Sequence, residues 1–233
     1  MTATIHLVCA GAAQGLVKAL QPRLLAEAGA AIAGRFGAVG AMKEALLAGE
    51  PCDLMVSTDK MIGELIDSGA LRGEGRAPLG RVRTGIAVRR GQAHPDVSTA
   101  EALKAALLAA DAIYFPDAVR STAGIHFANV MRELGIHDEL RPRFRTYPNG
   151  ATAMHELAAH EAPRLIGCTQ VTEIHYTEGV ELVAPLPARF ELATVYTAAV
   201  SARAAEPALA ARFIAMLAGA DARALREAGG FED

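Results

Sequence analysis

The residues of this chain that could do chemistry cluster in short polar segments just before helical patterns. Arg120-Ser121-Thr122 precedes Ala123-Gly124, bringing a guanidinium fork, two hydroxyls and the unpaired N–H groups of a helix start to one place. That set suits one anionic group, because arginine grips carboxylates and oxyanions bidentately and a helix N-terminus favours negative charge. The plainer account is a Ser or Thr cap beside a solvated arginine. Asn149-Gly150-Ala151 opens another helical pattern and Ser57-Thr58 closes an apolar run. Each could present donors or simply cap the helix that follows. Arg81, Arg83, Arg89 and Arg90 form a basic cluster on an extended run. They read as solvated edge charges, with Arg83 the one best placed to reach an anion.

Other patterns lack the geometry their chemistry requires. The segment His155-Glu156-Leu157-Ala158-Ala159-His160 imitates a zinc-protease helix, but its histidines are five residues apart, about 140° around a helix instead of on one face. Gly11-Ala12-Ala13-Gln14-Gly15 lacks the Gly-Lys-Ser/Thr ending of a phosphate-binding loop, and no Gly-x-Ser-x-Gly elbow occurs. Cys9 lies inside an apolar run, where a small core residue is the natural reading. His126 is a candidate proton-transfer group or, more simply, a histidine on an amphipathic helix. Nothing here demands a catalytic residue, a metal or a cofactor.

A chain of 233 residues, 52% apolar and 21% charged, can bury one core or one in each of two lobes. Trp is absent and aromatics reach only 5%, so the stacking platforms of single-stranded nucleic-acid binding are missing. A formal net charge of −3 lacks the basic surplus that a phosphate backbone demands. No nucleic-acid partner is expected. No run approaches the roughly 20 apolar residues of a bilayer span, so no membrane insertion is expected either. The start, MTATIHLVCAGAAQGLV, has no positive leader region, which predicts a cytoplasmic place for the chain as written and a periplasmic one if a leader has been removed. Cys9, Cys52 and Cys168 are odd in number and widely spaced, fitting reduced thiols and not a disulfide framework.

Short apolar runs alternate with helical patterns, predicting strands at 5–10, 31–36, 53–56, 111–115, 143–147, 164–168 and 180–183. Helices are predicted from about 15, broken or kinked at Pro22, and over 41–48, 60–67, 100–109, 123–134 and 151–160, with two more closing the chain. Ser98 to Glu101 reads as the capping box of the helix at 100. Such alternation implies a mostly parallel sheet. Two long extended runs, 81–90 and 190–201, bracket the middle of the chain. They predict a discontinuous first lobe, 1–82 with 195–233, and a second lobe, 83–194. A cleft between lobes is a preferred ligand site.

Four segments carry a family resemblance: LVCAGAAQGLVKAL, LLAGEPCDLMVSTDKMIGELIDSGAL, DAIYFPDAVRSTAGIHFANVMRELGI and AARFIAMLAGADARALREAGGF. Their order, the AGEPCDLMVSTD stretch (AGAPADLFISAD in the family) and STAGIHF (PAGIYA) resemble the molybdate-binding-protein group of type II periplasmic substrate-binding proteins. The resemblance implies an α/β, two-lobed fold with a central cleft and two crossover strands. It also implies a small anionic ligand held between the lobes and an ABC permease as partner. Donors would come from Gly11, Ala12, Ala13 and Gln14 in the first loop, Ala38 and Val39 in the second, Ser57, Arg120, Ser121, Thr122 and Ala123, Asn149 and Gly150, and Thr169 and Gln170 in the late loop. The group's first two loops carry Ser hydroxyls and its late loop a Tyr, all missing here, and each lost hydrogen bond to an anion is worth ~1.5–3 kcal/mol. Backbone amides remain as donors, so the expected ligand widens from molybdate to any small oxyanion or organic acid. Aconitate-isomerase-like enzymes resemble the same group. A cytosolic proton-shift isomerase of a small polycarboxylic acid is therefore the alternative, with Arg120, Ser121, Thr122 and His126 as its candidates.

Overall fold

The apolar run at the N-terminus forms strand β1 (Ala3–Ala10), flanked in parallel by β2 (Ala30–Gly37) and β3 (Leu54–Thr58). Strands covered on both faces need side chains apolar at consecutive positions, and Leu7, Val8, Cys9 and Ala10 are all buried. The computed structural model describes residues 3–233. They divide into two units: the chain up to Val82 with Thr194–Asp233, and Arg83–Ala193. The chain leaves the first unit within β4 (Ala77–Arg89) and returns at the start of β9 (Ala193–Val200).

In the first unit β9 runs antiparallel to β3. Helices α1 (Gln14–Ala28), α2 (Val39–Leu47) and α3 (Asp59–Asp67) follow β1, β2 and β3 in turn. Ala10 stands opposite Gly37, and Cys9 opposite Val56. The three strand ends are thus level, and the residues after them share one edge. Val8, Met42, Leu46, Met55, Ile62 and Leu65 form a core beneath it. Pro22 does not break α1, which runs from Gln14 to Ala28. The proline removes one N–H that would bond the Lys18 carbonyl, and Lys18 and Pro22 both lie on the exposed face, where water satisfies that carbonyl.

In the second unit β5 (Ala112–Pro116) is central, parallel to β6 (Phe144–Tyr147) and β7 (Leu165–Gln170). β4 pairs antiparallel with β7, and β8 (Val180–Pro185) antiparallel with β4. The sheet is therefore mixed instead of mostly parallel in both units, because the long strands that carry the chain between units run against their neighbours. Along β5 the side chains alternate between two cores. Ile113 and Phe115 join Leu107, Phe127 and Met131, whereas Ala112 and Tyr114 join Met154, Leu157 and Ile174. Helix α4 (Ala100–Ala109) begins one residue later than a Ser98 box requires. Thr99 is its cap, accepting from Ala102 N at 3.1 Å, while Ser98 bonds Asp96. Then come α5 (Thr122–Glu133), the short α6 (His137–Leu140), α7 (Gly150–Ala159), α8 (Val171–Tyr176) and, back in the first unit, α9 (Pro207–Ala218) and α10 (Arg223–Ala228). The sequence reading passes over α8, a six-residue helix with two β-branched residues in its first turn and too short to show a period.

A buried carboxylate locks the first unit. Asp53, 1% exposed, accepts from His6 N at 2.7 Å, Ala205 N at 2.7 Å and Glu206 N at 2.9 Å. It ties β1 and β3 to the segment that starts α9. Burial opposes its ionisation, but the N–H groups of His6, Glu206 and Ala205 outweigh that cost and hold the carboxyl below the usual 3.8. Asp53→Ala leaves these donors unpaired and should cost about 1–3 kcal/mol in chemical denaturation. A depressed folded-state pKa stabilises above the unfolded value, so the wild-type advantage over D53A should hold above pH 3.8 and disappear as acid titrates the folded carboxyl. A difference that persists unchanged to the lowest pH would contradict this assignment.

Candidate functional site

In parallel α/β arrangements ligands collect at the carboxyl ends of the strands, where helix N-termini point. The first unit presents three such turns. Gly11, Ala12 and Ala13 form a buried 3-10 turn leading straight into α1, with Gln14 half-buried. Ala38 is the cap of α2 in extended conformation and gives no side-chain bond to the N–H groups that begin at Val39. At the third turn Thr58 caps α3 through Met61 N at 3.3 Å. Beside it Ser57 is fully buried, and its hydroxyl has no hydrogen-bond partner among the described residues.

The second unit repeats the arrangement with different chemistry. After β5, the Asp117 carboxylate accepts from Val119 N and Arg120 N, folding a turn that leaves Arg120 exposed. Ser121 caps α5 through Gly124 N at 3.4 Å, followed by Thr122 and the buried Ala123. After β6, Asn149 caps α7 through Thr152 N at 2.8 Å. The capping roles read from the sequence are thus filled by Thr58, Ser121 and Asn149. β7 ends on Gln170, 3% exposed, whose carboxamide has no partner on either its oxygen or its nitrogen among the described residues. Directly opposite on β4 stands Thr84, fully buried, its hydroxyl also unpartnered. Opposed residues of an antiparallel pair share a face. Two residues beyond Gln170 the Thr172 hydroxyl, 3% exposed, is a third. Buried polar atoms are nearly always hydrogen-bonded, so these unpartnered groups make this edge the candidate site.

Thr169 and Gly150 belong to a separate arrangement that the sequence does not reveal. Glu173 on α8 is 5% exposed, and its carboxyl accepts from the Thr169 hydroxyl at 2.5 Å and from the N–H groups of Ala151, Gln170 and Gly150. The first turn of α7 therefore points its donors at a side chain of this chain. A Cβ at Gly150 would lie 2.0 Å from Glu173 Oε2 and 1.9 Å from Thr169 Oγ1, so only glycine fits. Burial pushes the carboxyl up to about 7; the four hydrogen bonds pull the other way without offsetting it. The spacing Thr169-x-x-x-Glu173 was the available clue, but it lies in a helix too short to register.

The remaining candidates have structural partners. His126 Nε2 is 2.7 Å from the Phe190 carbonyl, which can only accept, so that nitrogen carries its proton and pins the loop before β9. His160 lies past the end of α7 and packs against Tyr114. No group of three His, Cys, Asp or Glu able to hold a metal occurs among the described residues. Cys9 and Cys168 are fully buried, which pushes both thiols up, away from nucleophile chemistry. Arg81 pairs with Glu232 at 3.2 Å. A cavity of about 380 Å³ in the first unit is lined by Leu46, Gly49, Glu50, Cys52, Gly69 and Arg203. It lies at the other end of these strands, against the C-termini of α2 and α3, where helix carbonyls disfavour anions.

The Glu173 arrangement has a pH signature. A carboxyl raised from 4.5 to about 7 in the fold binds its proton more tightly there than in the unfolded chain. Its stabilising effect is complete below pH 4.5 and lost as pH rises to about 7. Relative to Glu173→Gln, which does not titrate, wild type should lose about 3 kcal/mol across that window and then run level. Parallel stability–pH curves for the two proteins would refute the raised carboxyl.

Comparison with known proteins agrees with this geometry. A family model described as bacterial extracellular solute-binding protein matches residues 5–232. The Azotobacter vinelandii periplasmic molybdate-binding protein superposes with a TM-score of 0.79 at 20% identity, covering 98% of this chain and 99% of that one. The sulfate-binding protein SubI of Mycobacterium tuberculosis superposes with a TM-score of 0.75 at 17% identity, covering 98% and 86%. In sequence, an aconitate isomerase of a Pseudomonas species is 25% identical over 191 residues, 81% of this chain and 71% of its own length. No helix among the described residues is long and apolar enough to cross a membrane. With α/β units whose helices open on level strand ends, and a family model that spans nearly every residue, this chain belongs to the bacterial extracellular solute-binding protein family.

Proposed function

We propose that this protein binds a small anionic solute, using Arg120, Thr84, Gln170 and Thr172 at the strand edge of the second unit. The observation that carries the reading is Gln170, buried with both carboxamide atoms unpartnered opposite an equally unpartnered Thr84. A bare oxyanion only accepts hydrogen bonds and would leave Gln170 Oε1 unmatched, whereas an organic acid bearing a hydroxyl or protonated carboxyl answers both atoms. Arg120 supplies the matching charge, and its exposure lets it meet a solute arriving from water. An organic acid is therefore favoured over molybdate. Membership of a solute-binding family supports an ABC permease as recipient of the ligand.

A second reading, a proton-shift isomerase of a small polycarboxylic acid, draws its support from the aconitate isomerase relative. Such an enzyme needs a group free to move a proton. Glu173 has four donors on its carboxyl and His126 donates to Phe190, so the binding reading accounts for more of what the residues do.

Thermal shift against molybdate, tungstate, sulfate, phosphate and a set of di- and tricarboxylates should show stabilisation by a carboxylate. Arg120→Ala and Gln170→Ala should each weaken that ligand by about 10- to 100-fold, the equivalent of one charged hydrogen bond. If both variants respond as wild type does, this edge is not the binding site. Proton NMR of cis-aconitate held with the protein should show no trans isomer. Its accumulation above a protein-free control would establish the enzyme instead.

A further inference from the structure

At the start of α7, a ten-residue helix, a carboxyl group already sits, and that group belongs to the chain itself. Asn149 takes the Thr152 N–H, while Gly150 N, Ala151 N, Gln170 N and the Thr169 hydroxyl converge on Glu173. The glycine is sterically required, since a Cβ there would overlap both the carboxyl and the Thr169 hydroxyl. Helix, strand end and short helix thus form a closed socket around one carboxyl group. We propose that the Glu173 carboxyl is a built-in occupant of the start of α7, closing this helix end to free oxyanions and thereby making the protein selective.

The selectivity follows from charge and from donor count. A helix N-terminus attracts negative charge through its unpaired N–H groups and its dipole. With those groups engaged by Glu173, a tetrahedral dianion finds fewer donors. The buried side-chain groups without a partner among the described residues at this strand edge, Gln170, Thr172 and Thr84, carry no charge. That set discriminates by hydrogen-bond pattern more than by charge, and against doubly charged inorganic ions. The selectivity half of the inference rests on the solute-binding reading above; the socket itself does not.

Glu173→Ala removes a fragment equal in size to acetate and leaves the four donors behind. We expect E173A to melt below wild type and to be restored by acetate in a saturable way. Pivalate at equal ionic strength, too bulky for the vacated volume, should leave its melting temperature unchanged. Wild type should ignore both salts. E173A should also gain a thermal response to sulfate and molybdate that wild type lacks. Equal shifts with acetate and pivalate, or none with either in an E173A that keeps the native circular dichroism, would overturn the socket. Should E173A not fold in either salt, Glu173→Gln decides: we expect it to fold and to gain on wild type in melting temperature between about pH 5 and about pH 8, and a difference constant across that range would show that the carboxyl is not held in the socket. A wild-type protein silent to every anion would instead fail the solute-binding reading, leaving acetate rescue to judge the socket.

Discussion

The unpaired N–H groups at the start of each helix are the constraint around which both units are organised. Three parallel strands, each feeding a helix, bring three such starts to one edge in each unit. An α-helix cannot satisfy its own first donors, so every start needs a side-chain cap, an internal acceptor or a ligand. The two units answer differently. In the second, Ser121, Asn149 and Glu173 supply acceptors from within the chain. In the first, Thr58 caps α3 while α2 begins on an alanine with nothing to offer.

Packing is what makes those edges level. The cores are built from small and medium aliphatics in place of the missing Trp, and close approach substitutes for bulk. At Gly167 a Cβ would stand 2.6 Å from Met154 Cε and 2.7 Å from Leu157 Cδ1, so α7 lies against β7 with no room for a side chain. That contact packs α7 onto β7, the strand that carries Thr169 and Gln170. Asp53 performs the equivalent service in the first unit, joining the start of α9 to β1 and β3 through three N–H groups.

In the proposed reading, the polar residues that remain unmatched serve recognition and the matched ones architecture. Ser57, Thr84, Gln170 and Thr172 are buried without partners among the described residues, whereas nearly every capping residue is engaged. A carboxamide facing a hydroxyl reads both donors and acceptors on a solute. This chemistry differs from a cradle of backbone amides alone and accounts for a family member whose first two loops carry no hydroxyl.

Much of this was legible in the sequence because it is local. Apolar runs gave the strands, Ser, Thr and Asn before helical patterns gave the caps, and the two long extended runs gave the two-unit plan. Ser57 stood out because it closes an apolar run where a helix begins, and Gln170 because the family resemblance places it in the late loop. What the sequence determined by itself was the order of elements, the candidate turns and the absence of a metal or nucleotide motif. Only tertiary structure decided which donors are occupied. Glu173 lies 23 residues after Gly150 in the chain, and Thr84 lies 86 before Gln170; strand pairing joins the second pair and the α7–β7–α8 packing joins the first. Hydrogen-bond satisfaction depends on distance in space, and residues far apart in sequence become neighbours only when the sheet closes on them.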